Sequence, residues 1–271
     1  MLIPVILLFL QAQYWHGDAR VVKSMSPTKN AKILGGHDID ITEAPYQVSV
    51  HVFGIYLCGG VLVDKDIVLT SAYFSNFFPS HPALFKIRAG SSIIDEGGEL
   101  YQVEKIVVHP YHRVLTYDLA VFKLSKPVTL SDKVAPIPMM ESGEEVPDGA
   151  NLHVTGWGMT ENEDWPVMLQ RVEVTKVNWD LCLYQLDPNA LTEADLCAGV
   201  PAGDKGFYRG DKGGPLVYNG KLAGVSSRYI TTMEVGPDNT TIPRLPDQVY
   251  TKVSALRSWI DETIQNMTSH I

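Results

Sequence analysis

Cysteine is scarce in this chain, with three in 271 residues: Cys58, Cys182 and Cys197. The count is odd, so in an exported protein at least one thiol has no partner within the chain. None lies in residues 13–32, which rules out a cysteine-rich module ahead of the main body. Basic residues are also few. Lys and Arg number 22 against 31 Asp and Glu, a formal charge of −9, and removing residues 1–32 leaves 18 basic against 30 acidic. That balance argues against nucleic acid, polyanions or anionic membrane as partners. Beyond the N-terminus no apolar run is long enough to cross a bilayer. Gly and Pro, at 22 and 17, sit near average, so no low-complexity class applies, and no internal repeat is visible.

What is present fits a globular, exported protein. Hydrophobic residues make up 45% of the chain, enough for a large core in one or two domains. The start, "MLIPVILLFLQAQ", reads as a secretory signal whose apolar run, Leu2 to Leu10, is too short to span a membrane. We place its end near residue 19 and treat residues 20–32 as a propeptide-like segment. Sequons at Asn239 and Asn266 agree with export. The acidic runs "ESGEEVPDG" and "TENEDW" read as solvated surface.

Short runs rich in Val, Ile, Leu, Thr and Tyr alternate with turn residues: "YQVSVHVF", "GGVLVDKDIVLT", "LAVFKL", "NLHVTGWG" and "QVYTKV". This pattern predicts an all-β sandwich or barrel. One amphipathic helix is expected at the C-terminus, capped by Ser254, with Leu256, Trp259, Ile260 and Ile264 on one face.

Several motifs then occur in a fixed order: "KILGG" (Lys32 to Gly36), "YLCGGVLV", "VLTSA", "YDLAVFKL", "VTGWG", "LCAG", "GDKGGPL" and "VYTKV". Together they span essentially all of residues 33–271, and the set resembles the chymotrypsin/trypsin serine protease family. The resemblance implies an all-β fold of two six-stranded Greek-key barrels, residues 33–137 and 138–271, with a C-terminal helix and a cleft between the barrels. The two halves together form one domain, 33–271.

The family's chemistry needs a serine nucleophile, a histidine that moves its proton, and an aspartate that orients the histidine. The aspartate is present as Asp118. Lys212 stands at the serine, in "RGDKGGPL". In "LTSAYFS" we assign Phe74 to the histidine and Ser75 to the cysteine beside it. With two of three roles gone, the expectation is a chain that is not an enzyme. His109 and His112, in "HPYH", read as surface and strand-edge residues rather than a displaced base.

The resemblance also implies changes in the substrate pocket. Gly206 replaces the aspartate six residues before the nucleophile. We align "VSSR" with the family's "VSWG", so that Ser227 replaces the tryptophan platform and Arg228 the entrance glycine, and Ser226 is expected to donate to Asp118. Gln248 takes a further pocket glycine. The N–H groups of Gly210 and Lys212 retain the positions of an oxyanion hole.

Cys182 and Cys197 match the ends of one family disulfide, worth about 3 kcal/mol by loop closure. Leu152 and Tyr218 replace a second pair, and Tyr208 replaces the cysteine of the pocket bridge. Cys58 is left either as a buried free thiol or as a site for an intermolecular bond. Lys32-Ile33 matches the activation cleavage, after which the freed Ile33 amine would pair with Asp211. Ser91 stands where a calcium-binding glutamate is usual, so no metal or other cofactor is expected.

The expected function is that of a secreted, inactive serine protease homologue that binds protein, in the manner of scabies-mite inactivated protease paralogues related to mite group 3 allergens. That resemblance implies host defence proteins, complement among them, as partners. Alternatives are an active peptidase with rearranged residues and a prophenoloxidase-type cofactor.

Overall fold

The computed structural model describes residues 35–269 except 76–77, 79, 114–115, 160–165, 186–190, 201–205, 230–232, 236–240 and 244–247. The signal and propeptide segments, Lys32, Ile33 and Asn239 lie outside the described residues.

A short strand β1 (His37–Asp38) leads into the first barrel. Its strands are β2 (Gln47–Val52), β3 (Ile55–Asp64), β4 (Ile67–Thr70), β5 (Phe85–Ala89), β6 (Glu99–Val108) and β7 (Ala120–Leu124), and a one-turn helix α1 (Ala72–Ser75) follows β4. They close in the order β2-β3-β4-β7-β6-β5, every pair antiparallel. The run read as "GGVLVDKDIVLT" is thus a hairpin, turning where the Asp64 carboxylate accepts the Lys65 N–H.

The second barrel uses β8 (Asn151–Gly156), β9 (Gln170–Lys176), helix α2 (Trp179–Gln185), β10 (Asp195–Gly199), β11 (Pro215–Tyr218) and β12 (Lys221–Tyr229). A two-stranded ribbon, β13 (Met233–Val235) with β14 (Thr241–Pro243), precedes β15 (Gln248–Lys252). The sheet order β9-β10-β15-β12-β11-β8 closes on itself through β8–β9, with β1 added beside β9. The two six-stranded barrels and C-terminal helix expected from the sequence are present.

Val, Ile, Leu and aromatic side chains fill each barrel because alternate strand residues face inward. Phe85, Ile87, Tyr101, Val103 and Phe122 pack the first barrel; Val154, Val172, Phe207, Leu216 and Tyr250 pack the second. Helix α3 (Val253–Thr268) buries Leu256 and Ile260, with Trp259 and Ile264 packed alongside. Its start differs from expectation. Lys252 holds the cap position without a side-chain cap bond, and Ser254 is buried in the first turn. Asn266 is exposed near the end of α3.

The "ESGEEVPDG" segment is not free surface charge. Glu144 pairs with Lys221 at 2.9 Å, Glu145 with Lys252 at 2.5 Å, Glu141 with Arg257 at 3.2 Å, and Asp148 with Lys176. Exposed pairs of this kind add little stability each, but four of them pin the segment to the second barrel. Its partner "TENEDW" lies outside the described residues.

Candidate active site between the barrels

Asp118 precedes β7 and is 2% exposed, so its charge must be met by hydrogen bonds. Three donors supply them. The Ser71 hydroxyl lies 2.8 Å from both carboxylate oxygens, the Tyr73 N–H donates at 2.8 Å, and the Ser227 hydroxyl donates at 2.9 Å. The serine that the family resemblance places against this aspartate is therefore Ser227. The expected donor, Ser226, has its hydroxyl buried without a partner among the described residues. A register shift in the β12–β15 pairing falls between Ser226 and Arg228, which turns Ser227 toward Asp118.

The frame moves by one residue elsewhere in the cleft for the same reason. With Ser227 on the aspartate, Arg228 takes the platform position and Tyr229 the entrance glycine. Arg228 is buried and reaches back to Asp195, at 3.1 and 3.3 Å. Burial raises the Asp195 pKa despite the opposing pull of Arg228.

Phe74 also needs correction. The residue after "LTSA" is Tyr73, whose N–H binds Asp118 and whose ring lies 5.0 Å from the Lys212 ammonium. Tyr73 thus faces the cleft at the histidine position. Phe74 turns away and packs on the cluster that contains Cys58, filling the place of the cysteine partner assigned to Ser75. Ser75 instead donates back to the carbonyls of Ser71 and Ala72.

Lys212 Nζ donates to the Ser227 carbonyl, and its side chain is half-buried. Desolvation lowers its pKa and Arg228 adds to the effect, against the pull of Asp118. The loop that carries it depends on glycine. Gly210 has φ +97°, and Gly213 has φ +80° with the Gly59 carbonyl only 2.3 Å from where a Cβ would sit. The Gly210 carbonyl accepts from the Tyr56 hydroxyl at 2.9 Å. Neither the Gly210 nor the Lys212 N–H donates to a described group.

Asp211, next along, is fully buried. It accepts N–H groups from Gly158 at 2.7 Å and Tyr208 at 2.9 Å, and burial pushes its pKa up to about 7. Gly156 and Gly158 leave it no spare room, since a Cβ on either would fall within 2.2 Å of the carboxylate. Ile33, its expected partner, lies outside the described residues.

The pocket behind Lys212 is occupied by the chain itself. A Cβ on Gly206 would lie 1.5 Å from Gln248 Nε2, so the Gln248 amide covers that floor. The Tyr250 hydroxyl donates to Gln248 Oε1 at 2.7 Å. Phe207 is buried with its ring 5.0 Å from Tyr250 and 6.3 Å from Tyr229, and Tyr208 lies 4.7 Å from Tyr229. Tyr229 was not anticipated from the sequence.

Cys182 and Cys197 form the expected disulfide. Cys58 is a buried free thiol, 3.6 Å from the Thr70 hydroxyl, with burial pushing its pKa up to about 12. Leu152 and Tyr218 pack in one cluster where the second disulfide was expected to be lost. His109 is not a surface residue. It is 5% exposed, stacked on Tyr117 at 4.9 Å and edge-on to Trp259 at 4.5 Å. The Ser91 hydroxyl donates to the Ile93 and Glu96 carbonyls.

The family described as Trypsin matches residues 33–260. This chain belongs to the trypsin family. It is 45% identical to a vitellin-degrading protease of Bombyx mori, over 89% of this chain and 90% of that protein. It is 34% identical to a trypsin of Phaedon cochleariae, over 86% and 88% respectively. Among solved structures it is similar to neuropsin, a serine protease expressed in the limbic system of mouse brain, with a TM-score of 0.71, 26% identity and coverage of 84% and 98%. These comparisons correct the expectation of a non-enzyme. Relatives that align over almost their whole length are named as proteases and trypsins, which points to a protease. The trypsin-family cleft carries Tyr73 and Lys212 opposite a fully hydrogen-bonded Asp118, and no described helix is long and apolar enough to cross a membrane.

Proposed function

We propose that this trypsin-family protein is secreted and acts on another protein, which it holds across the cleft between its barrels. The observation that carries this reading is the occupied pocket. With Gln248 over Gly206 and Phe207 and Tyr229 beside it, a partner's single side chain has no deep slot to enter. Recognition then rests on a broad surface, as in protein–protein contacts. The names of the relatives support a protein target, and the Bombyx mori relative is named for degrading vitellin.

A second reading, peptide hydrolysis by rearranged residues, is supported by those same names and by Lys212. Its desolvated amine is the group in the cleft best suited to accept a proton or attack a carbonyl.

The test is affinity capture by the mature protein from two sources, purified vitellin and host plasma containing complement and other defence proteins. Specific retention of a protein at micromolar affinity or better is expected, weakening when Tyr229→Gly and Gln248→Gly reopen the pocket. Retention of nothing from either source would remove the binding reading. Fragments of the captured protein that disappear with Lys212→Ala would establish the hydrolytic one.

A further inference from the structure

We infer that the tip of the β2–β3 hairpin, Phe53-Gly54-Ile55, is a docking site for a zwitterionic lipid surface. The inference goes beyond the protein recognition proposed above and does not depend on it.

Two hairpins of this molecule make the same turn with different residues. Asn219-Gly220 joins β11 to β12, with φ of +48° and +74°, between the paired residues Tyr218 and Lys221. Phe53-Gly54 joins β2 to β3, with φ of +53° and +81°, between the paired residues Val52 and Ile55. Positive φ at both central residues suits the twist of a hairpin, and Asn-Gly is the usual sequence for it. A bulky side chain at the first position is strained, because its Cβ crowds the backbone. Packing gives nothing in return. Phe53 is 55% exposed, and Ile55 just beyond it is 45% exposed. A Cβ on Gly54 would meet nothing within 4 Å, so the tip stands clear of the rest of the chain. An apolar residue that strains the fold and stays in water points to a contact outside the fold.

Shape and charge select the occupant. The tip is convex and its apolar part is short, which suits the shallow boundary between headgroups and acyl chains. The charges at its base are of both signs. Lys86 is exposed opposite His51 in the β2–β5 register, and Arg88 and Asp95 both act on the His51 ring. A zwitterionic headgroup offers a phosphate and an ammonium to that mixture, whereas a formal charge of −9 is repelled by an anionic surface. Docking here also places the cleft near the lipid. The Tyr56 hydroxyl donates to the Gly210 carbonyl and the Gly59 N–H to the Lys212 carbonyl, each at 2.9 Å. From Ile55 to Gly59 is about 13 Å of strand, at about 3.3 Å per residue.

The test is co-sedimentation of the intact mature protein with sucrose-loaded phosphatidylcholine vesicles, beside vesicles that also contain phosphatidylserine. Wild type is expected to sediment with phosphatidylcholine, and less when phosphatidylserine is added. Phe53→Asn copies the turn of the other hairpin. It should lower the partition coefficient at least about ten-fold and leave the urea midpoint at or above that of wild type. Phe53→Trp should bind at least as well as wild type. Ile55→Ser leaves the turn residues unchanged and should also weaken binding, so it decides the matter if Phe53→Asn does not fold. Absence of wild-type binding to phosphatidylcholine, or wild-type binding by Phe53→Asn, would overturn the inference and leave the tip to a protein socket. A urea midpoint lowered by Phe53→Asn would overturn it too, by showing that Phe53 serves the fold.

Discussion

Two buried aspartates, Asp118 beside the Lys212 amine and Asp211 next to it in the chain, are held in opposite ways. Asp118 collects two hydroxyls and a backbone N–H from two segments, Ser71 and Tyr73 after β4 and Ser227 on β12. Among the described residues Asp211 receives two backbone N–H groups and is pressed between glycines, and burial pushes its carboxyl toward neutrality. Burial alone therefore does not decide what a carboxylate does. The supply of donors does. Asp118 keeps three donors although Tyr73 stands where the family resemblance places a histidine.

The largest effect should come from breaking the better-supplied side. Asp118→Ala strands three donors in the interior and should cost about 3 kcal/mol or more in urea unfolding. Next is Asp211→Asn. Because the folded pKa lies above the unfolded one, the folded state holds its proton longer, so stability of the uncut chain falls as pH rises from about 4 to about 7. Asn removes that slope. At pH 8 it should be more stable than wild type by about 2 kcal/mol after loss of one backbone hydrogen bond. Unfolding curves from pH 4 to 8 would show it, and an unchanged slope would contradict the assignment. Cutting after Lys32 should flatten the same slope if the new amine reaches Asp211.

A smaller effect separates the adjacent serines. Ser227→Ala loses a bond to a charged carboxylate and should cost about 1–2 kcal/mol, whereas Ser226→Ala removes an unpartnered hydroxyl and should be near neutral. Equal costs would restore the other register. The smallest is Glu144→Gln, which breaks an exposed pair with Lys221 and should leave the urea unfolding curve unchanged within error at low and at high salt.

Much of this was legible in the sequence. The β-rich runs became the strands, the amphipathic face of α3 was found correctly, and Cys182 and Cys197 are joined. The errors came where two similar residues sit side by side. In "VSSR" either serine satisfies a motif that asks for one, and strand alternation allows only one to face Asp118; a register shift in the β12–β15 pairing, invisible in the letters, selects Ser227. In "AYFS" two adjacent aromatics compete for the cleft and the core. The hydroxyl-bearing Tyr73 takes the polar side and Phe74 the apolar one, which hydrophobicity could have indicated. Tyr229 was missed because it follows from the serine register. The Ser254 cap failed because that residue is buried within the first turn. Whether the chain is an enzyme was misjudged from two positions, where the kinship of the whole length pointed the other way.

The packing of Leu152 against the cluster that holds Tyr218 has a practical consequence. Where a covalent tie could have joined those strands, contact between apolar surfaces does the work, and the Cys182–Cys197 bridge spans a local stretch of chain. For this molecule a reductant is a local perturbant: it should release the segment around α2 while both barrels stay folded. Folding to a compact state should therefore not require an oxidising compartment.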